Sequence, residues 1–438
     1  MTLTSSVGVM AVFLIDLLSI FYVSMAHRDS WRAAVSLMAK VMFFPFGLSM
    51  GMMIGIGTVV SVAVGRGDRD AARRLATSGL VLTGGLGLAV AIVGLPFRVA
   101  VLRFFGAEGE ALDEAARLLA MVLPVNPLLA IGMGCASILR AYGDPVRAMY
   151  VTLAGALVTA VGDPLFIFAL GQGVDGVGMA IVVSRVVFLA VGLWFTVHVH
   201  RIVSMPRLPL GRAEIREISA IAVPAIAANL ALPFADWYVT RTIWQFGVAI
   251  SAAAGIFDRL MPLVFSLVFA LTTALGPIIG QNLGARDYAR VSATFRCALI
   301  LVAVYGSCMW LLIWSATPAL AGAFGLSGVT GTFFSFLCHY ATLGWVCGAF
   351  LLVANAVFNT LGHAQVSTLF NWGRATLGTM PFVWIGAHSG GPAYAMLGIV
   401  VAAFAFALAA VGVAWNYTRR LGRDAPVADA VMAKGGLA

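Results

Sequence analysis

Gly65-Arg66-Gly67-Asp68-Arg69-Asp70-Ala71-Ala72-Arg73 closes an apolar run that reaches back to Arg32, and Asn282-Leu283-Gly284-Ala285-Arg286-Asp287-Tyr288-Ala289-Arg290 closes another that reaches back to Ala249. The two closing stretches answer each other in pattern: glycine at the exit, a charged turn, then an arginine at the end. Each apolar run exceeds the ~20 residues a helix needs to cross a bilayer. A chain that alternates such runs with short charged breaks, and repeats the pattern in its second half, is a membrane-embedded helical bundle built from two related parts. A weaker echo, Leu139-Arg140-Ala141-Tyr142-Gly143 against Phe358-Asn359-Thr360-Leu361-Gly362, keeps the same order.

Composition agrees. Hydrophobic residues make up 61% of the 438 and charged residues 10%, more apolar surface than a soluble core can hide. Division at the breaks predicts twelve spans, near residues 4–26, 32–64, 76–105, 112–141, 146–170, 174–200, 218–246, 249–283, 291–324, 331–361, 364–387 and 393–419. The first run continues into further spans rather than a cleavage site, so it reads as a mature helix. The expected fold is all-α integral membrane, twelve transmembrane helices in two six-helix lobes. Six spans per lobe is even, so the lobes form a parallel pseudo-two-fold repeat about an axis along the membrane normal. The expected divisions are 1–200 for the N-terminal lobe (helices 1–6), 201–217 for a cytoplasmic linker, 218–420 for the C-terminal lobe (helices 7–12) and 421–438 for a cytoplasmic tail.

Arginine placement orients the bundle, since Lys and Arg gather in cytoplasmic loops. Breaks after even-numbered spans carry Arg66, Arg69, Arg73 and Arg74, then Arg140 and Arg147, then Arg201, Arg207, Arg212 and Arg216, then Arg286 and Arg290; those after spans five, seven, nine and eleven carry none. The loop with Arg28 and Arg32 is the exception. Both termini are therefore expected in the cytoplasm, the protein in the inner membrane, and the net charge of +9 is explained by topology rather than by nucleic acid. The expected partners are the bilayer and a small-molecule substrate, with the chain working as a monomer and no cofactor. The five cysteines (Cys135, Cys297, Cys308, Cys338 and Cys347) lie in or beside apolar runs without close pairing and read as small hydrophobes.

Carboxylates inside spans are costly and are functional candidates by default. Asp16 lies in span one with Ser19 one turn on, and Asp163 lies in span five on a face shared with Thr152, Gly155 and Thr159. The sequence also places Lys40 in span two and Arg185 deep in span six, possible counter-ions for the aspartates or contacts for an anionic substrate. Lys40 lies close enough to its helix end to snorkel to the interface. Asn126, between Pro124 and Pro127, is a further candidate substrate contact. In the second half, Asp236 shares a face with Asn229, Pro233 and Thr240, while Ser367, Asn371 and Arg374 share a face of span eleven. Asp236 is expected either to pair with Arg374 or to attract a cationic substrate. His339 reads as a satisfied core histidine.

Several stretches resemble the multidrug and toxic compound extrusion (MATE) family: Gly247-Val248-Ala249-Ile250-Ser251-Ala252-Ala253-Ala254-Gly255-Ile256 with Arg259 and Pro262, Gly280-Gln281-Asn282-Leu283-Gly284-Ala285, Leu139 to Pro145, and Asp163-Pro164-Leu165-Phe166-Ile167-Phe168. The last is similar to the prokaryotic branch around DNA-damage-inducible protein F. The resemblance implies a secondary antiporter that exports organic, cationic or amphipathic compounds by alternating access of two lobes. It also implies that Asp16, Asp163 and Thr159 form the cation or proton site, with sodium possible at Asp16 and Asp163. The family's sodium-site pattern has Asn where this chain has Thr159 and Thr where it aligns Ile181, which removes oxygen ligands a hard cation needs. Two carboxylates in a low dielectric suit a shared proton, so the expected coupling ion is H+, with Na+ the alternative. A flippase for a lipid-linked or anionic substrate remains a second reading on the strength of Lys40, Arg185, Arg259 and Arg374. An integral-membrane enzyme is a remote third, because no nucleophile with its base and no paired metal ligands stand out.

Overall fold

The computed structural model describes residues 2–25, 28–203 and 210–435, without the side chains of Leu3, Asp16, Leu17, Ile20, Ser24, Asp29 and 422–435. It is helical throughout: α1 (Thr2–Met25), α2 (Asp29–Gly65), α3 (Arg69–Phe104), α4 (Gly109–Val122), α5 (Asn126–Ala141), α6 (Pro145–Pro164), α7 (Val174–Leu193), α8 (Arg212–Trp244), α9 (Val248–Val264), α10 (Ser266–Gly284), α11 (Tyr288–Ala323), α12 (Gly328–Phe336), α13 (Thr342–Thr360), α14 (Ala364–Gly373) and α15 (Met380–Gly435). Short π-turns follow α6 (Leu165–Ala169), α7 (Trp194–Val199), α12 (Leu337–Ala341) and α14 (Arg374–Thr379).

Among the described residues nine helices are long and apolar enough to cross a membrane, or ten if the bent pair α4 and α5 counts as one crossing. The count falls below twelve for local reasons. Prolines at 124 and 127 break the fourth expected span, bending α5 from α4 by 53°. The first expected span enters only as a shorter apolar helix, Thr4–Ile15; the eighth, interrupted at Phe265 three residues after Pro262, is still counted through α10. The eleventh and twelfth run together through α15, where Gly390 and Gly391 depart from helical geometry.

The repeated closing stretches have a shared local cause. In each, a residue with left-handed backbone (Gly67, φ 78; Arg286, φ 60) precedes an aspartate that caps the next helix. Asp68 accepts from the amide of Ala71 at 2.8 Å, and Asp287 from that of Arg290 at 3.0 Å. The aspartate's own amide reaches back to the helix it leaves, Asp68 to the Ala63 carbonyl at 3.1 Å and Asp287 to that of Asn282 at 2.9 Å. Gly143-Asp144 and Gly362-His363 repeat the turn, with amide bonds to Leu139 (2.9 Å) and Phe358 (2.8 Å). One tight connection thus ends one span and starts the next at four places.

The chain divides into two compact units, Met1–Val64 with Asp68–Leu230, and Gly65–Gly67 with Ala231–Ala438. The division falls within α8, so the first half of the seventh expected span belongs with the first unit. The contact that holds it there is a glycine ridge at i, i+4 and i+8 on α2. A Cβ at Gly51 would lie 2.5 Å from the backbone nitrogen of Ile226, one at Gly55 2.7 Å from Ala222 Cβ, and one at Gly47 3.8 Å from Leu230. Small residues let backbones approach where lipid gives no hydrophobic drive to associate. The first unit's core gathers Val35, Met38, Leu118, Leu119 and Val122 in one cluster and Ile56, Val59, Val60, Ile138 and Ile218 in another. The second unit has one large cluster, with Phe265, Phe295, Phe334 and Phe358 fully buried.

Candidate functional site

In the first unit α1 packs on α6, and α6 on α7. A glycine or alanine at each contact brings the backbones together: Gly8 against Thr152, and Gly162 against Ala180. This places Asp163, 0% exposed, one residue before Pro164 and the π-turn. The hydroxyl of Ser19 on α1 donates to Oδ2 of Asp163, while Oδ1 is sealed from solvent and has no partner among the described residues. A buried carboxylate oxygen with an unmet lone pair is where a proton or a cation adds at least cost.

Thr159 lies on the same helix, but its hydroxyl donates to the Gly155 carbonyl at 3.2 Å rather than to Asp163. Ser184 of α7 donates to that same carbonyl at 2.7 Å. The backbone of Asp16 lies in α1; its side chain falls outside the described residues. Lys40 is exposed and, among the described residues, makes no ion pair.

Arg185 is placed by α7 against the break between α4 and α5, where Nη1 donates to the Val122 carbonyl at 3.0 Å. Asn126, 1% exposed, begins α5 directly after that break, and neither of its side-chain amide atoms has a partner among the described residues. The two lie at one structural irregularity in the first unit.

The second unit does not pair Asp236 with Arg374. Asp236, exposed on α8, acts electrostatically on Asp258 of α9. Asp258 is exposed too, and the sequence does not single it out because it sits inside a stretch that stands out for its glycines and Arg259. On α14, Ser367 (1% exposed) and Asn371 (6%) are buried, and Asn371 donates to the Ser367 carbonyl at 2.7 Å. Arg374 opens the following π-turn with no hydrogen bond or ion pair among the described residues, and its Nε is sealed. His339 stacks on Trp314 with ring centroids 4.1 Å apart, so its neighbours are aromatic.

Outside the spans, Asp144 binds two elements at once. Its Oδ2 accepts from Arg147 Nη1 at 2.6 Å and lies 2.9 Å from His200 Nε2 at the end of the seventh helix's π-turn. Burial works against the charged carboxylate, but the Arg147 amide, His200 and the Arg147 guanidinium together hold it below its ordinary value. The five cysteines are all free. Among the described residues no group of three or more His, Cys, Asp or Glu is placed to hold a metal ion.

A multi-span helical bundle with a carboxylate buried among its helices defines the class as a polytopic membrane protein. The MatE family model matches residues 5–165 and 224–385, and the chain belongs to that family. It is a secondary-active transporter. Among curated proteins it is similar to the FAD transporter of Shewanella oneidensis, 25% identical over 403 residues covering 89% of this chain and 88% of that protein. It is also similar to the multidrug export protein MepA of Staphylococcus aureus, 23% identical over 265 residues, 59% of this chain and 58% of that protein. Among solved structures, the Vibrio cholerae MATE transporter VcmN in its bent form superposes with a TM-score of 0.88 at 21% identity, covering 96% of this chain and 95% of that one.

Proposed function

We propose that this protein exports amphipathic organic compounds across the inner membrane in exchange for protons, with Asp163 as the coupling carboxylate and Asp16 its companion on α1. The observation that carries the reading is the sealed, unpartnered Oδ1 of Asp163 beside an Oδ2 that accepts from Ser19. Protonation satisfies that oxygen without importing ligands. A sodium ion would need several further oxygens gathered around it. Alternating access of two six-helix lobes, both termini cytoplasmic, completes the proposal; the arginine-free breaks after spans five, seven, nine and eleven support the orientation. The Asp163-Pro164-Leu165-Phe166 motif supports a branch resembling DNA-damage-inducible protein F.

The test is substrate efflux from proteoliposomes under an imposed pH or sodium gradient. Asp163→Asn keeps the side chain's size and mimics its protonated form, so equilibrium binding survives while gradient-driven transport collapses. Transport by Asp163→Asn at the wild-type rate overturns the assignment. Transport that follows sodium at constant pH keeps the aspartate and changes the ion. For the orientation, a cysteine at Ser327 in an otherwise cysteine-free chain reacts with an impermeant external thiol reagent and one at Gly211 does not; the reverse pattern inverts the topology.

A second reading concerns the substrate's charge. A related protein is named an FAD transporter, and FAD is an anion. The feature of this chain that favours an anionic substrate is an intramembrane arginine, Arg374, that has no carboxylate partner among the described residues.

A further inference from the structure

Glu110 and Glu114 stand one turn apart on the same side of α4. Glu110 is exposed, but Glu114 is only 5% exposed. Its neighbours on α4, Ala115 and Leu118, belong to the buried apolar cluster that Ala34, Val35 and Met38 of α2 help to build. Among the described residues Glu114 makes no ion pair, and its Oε2 is sealed without a partner.

Two donors reach the carboxylate from the start of α2, the Ser30 hydroxyl and the Trp31 indole. The charges that act on it lie on its own helix: Glu110 repels the ionised form and Arg117 attracts it. Arg117 is itself shared with Asp175 of α7 at 3.6 Å. Trp31 carries the contact onward. Arg28 lies over its ring at 5.1 Å, and a Cβ on Gly173, just before α7, would fall 2.8 Å from the indole. One side chain thus joins α2 and α4 to the connection between α6 and α7. Arg28, the exception in the arginine pattern of the loops, has its partner here.

Ionised, this carboxylate keeps one oxygen without a hydrogen bond, sits among apolar groups and faces a like charge one turn away. Each of these costs free energy that an added proton lowers. A metal cation would need several oxygens around it, and Glu114 offers one.

We infer that Glu114 is a second proton-binding site of this chain, and that its ionised form latches α4 to the start of α2 through Ser30 and Trp31. Both donors bond an anion more strongly than a neutral acid, so protonation loosens the latch. The site does not rest on the role proposed for Asp163.

The test is fluorine NMR of the full chain carrying fluorotryptophan, in phosphatidylcholine nanodiscs, titrated in potassium buffers from the acid side of the carboxylate range to mildly alkaline pH. The Trp31 resonance, assigned by its loss in Trp31→Phe, follows a one-proton curve. In Glu114→Gln, which keeps an acceptor and removes the charge, it stays near its acid position throughout. Glu110→Gln removes the like charge from an exposed position and moves the midpoint toward acid by about 0.2–0.4 of a unit, the worth of such a pair on a helix. That variant decides the matter if Glu114→Gln loses its melting transition.

A Trp31 resonance that does not titrate, or that titrates equally in Glu114→Gln, overturns the inference, as does an unmoved midpoint in Glu110→Gln. A midpoint that moves with added sodium at constant ionic strength gives the site to a metal cation and overturns the assignment to a proton. The curve survives in Asp163→Asn; its loss there would give the titration to Asp163 instead and sink the inference.

Discussion

The hydroxyl of Ser19 donates to Oδ2 of Asp163, tying α1 to α6 at a buried carboxylate whose other oxygen has no partner among the described residues. The bond joins two helices far apart in sequence through a pair of short side chains, so any change in how α1 lies on α6 changes the carboxylate's surroundings. A coupling group needs that sensitivity, because its proton must be held in one state and released in the other.

Removing the donor therefore alters the pH response before it alters the fold. A hydrogen bond donated to a carboxylate favours the charged form, so in Ser19→Ala the proton is held to higher pH. The pH profile of gradient-driven efflux in proteoliposomes moves toward the alkaline side by up to about one unit, equivalent to ~1.4 kcal/mol. Ser19→Thr keeps the donor and the profile. An unchanged profile in Ser19→Ala removes Ser19 from the site.

The glycine ridge of α2 predicts a graded response to one added methyl group. At Gly51 the new Cβ meets the backbone nitrogen of Ile226 at 2.5 Å, which no rotamer change relieves, whereas at Gly47 it meets Leu230 at 3.8 Å, an ordinary contact. Gly51→Ala destabilises the protein by about 1–3 kcal/mol, and Gly47→Ala is close to neutral. Thermal melting in detergent distinguishes them; equal midpoints would mean that α8 does not pack here as described.

Asp144 makes stability depend on pH. Its carboxyl is held below its ordinary value in the folded protein, so the charged form favours folding. That contribution is fully present above the unfolded value of about 4 and is lost as pH falls through the lower folded value. Asp144→Asn preserves a capping side chain and removes the charge. At neutral pH it lowers stability by about 1 kcal/mol, and the difference from wild type disappears in acid. Asp144→Ala also removes the cap and costs about 1 kcal/mol more. A Tm difference that persists below the carboxylate range would assign the effect to packing.

What was legible in the sequence is what local chemistry fixes. Gly67-Asp68 and Arg286-Asp287 announce their turn because a left-handed residue and a capping aspartate act within a few residues, and the repeat follows from reading them twice. The breaks at Pro124 and Pro127 were visible, but their consequence, a 53° bend with an orphaned Asn126, depends on what packs beside them. Asp163 was legible because any carboxylate in an apolar run stands out. Its partner Ser19, and the turning of Thr159 to Gly155, are products of tertiary approach. Asp236 was expected either to pair with Arg374 or to attract a cationic substrate; among the described residues no ion pair joins the two, because a face on a helical wheel does not say which neighbour it meets.

Arg185 admits two roles that one set of variants separates. In an unbroken helix the Val122 carbonyl would accept from the amide of Asn126. Here that amide turns to Leu123 at 3.0 Å, and Arg185 Nη1 donates to Val122 at 3.0 Å instead. The carbonyl lies at the C-terminal end of α4, where the helix dipole favours a cation. Arg185 thus replaces a backbone bond that the prolines abolish. Arg185→Met keeps the apolar stem but strands the carbonyl, at a cost of about 1–3 kcal/mol. Arg185→Lys keeps a donor and recovers part of it. A structural role lowers the melting midpoint of Arg185→Met and leaves the affinity for an anionic probe, flavin mononucleotide, where it was. If the midpoint holds and that affinity falls instead, Arg185 contacts the substrate, and the broken helix between α4 and α5 becomes part of the binding site.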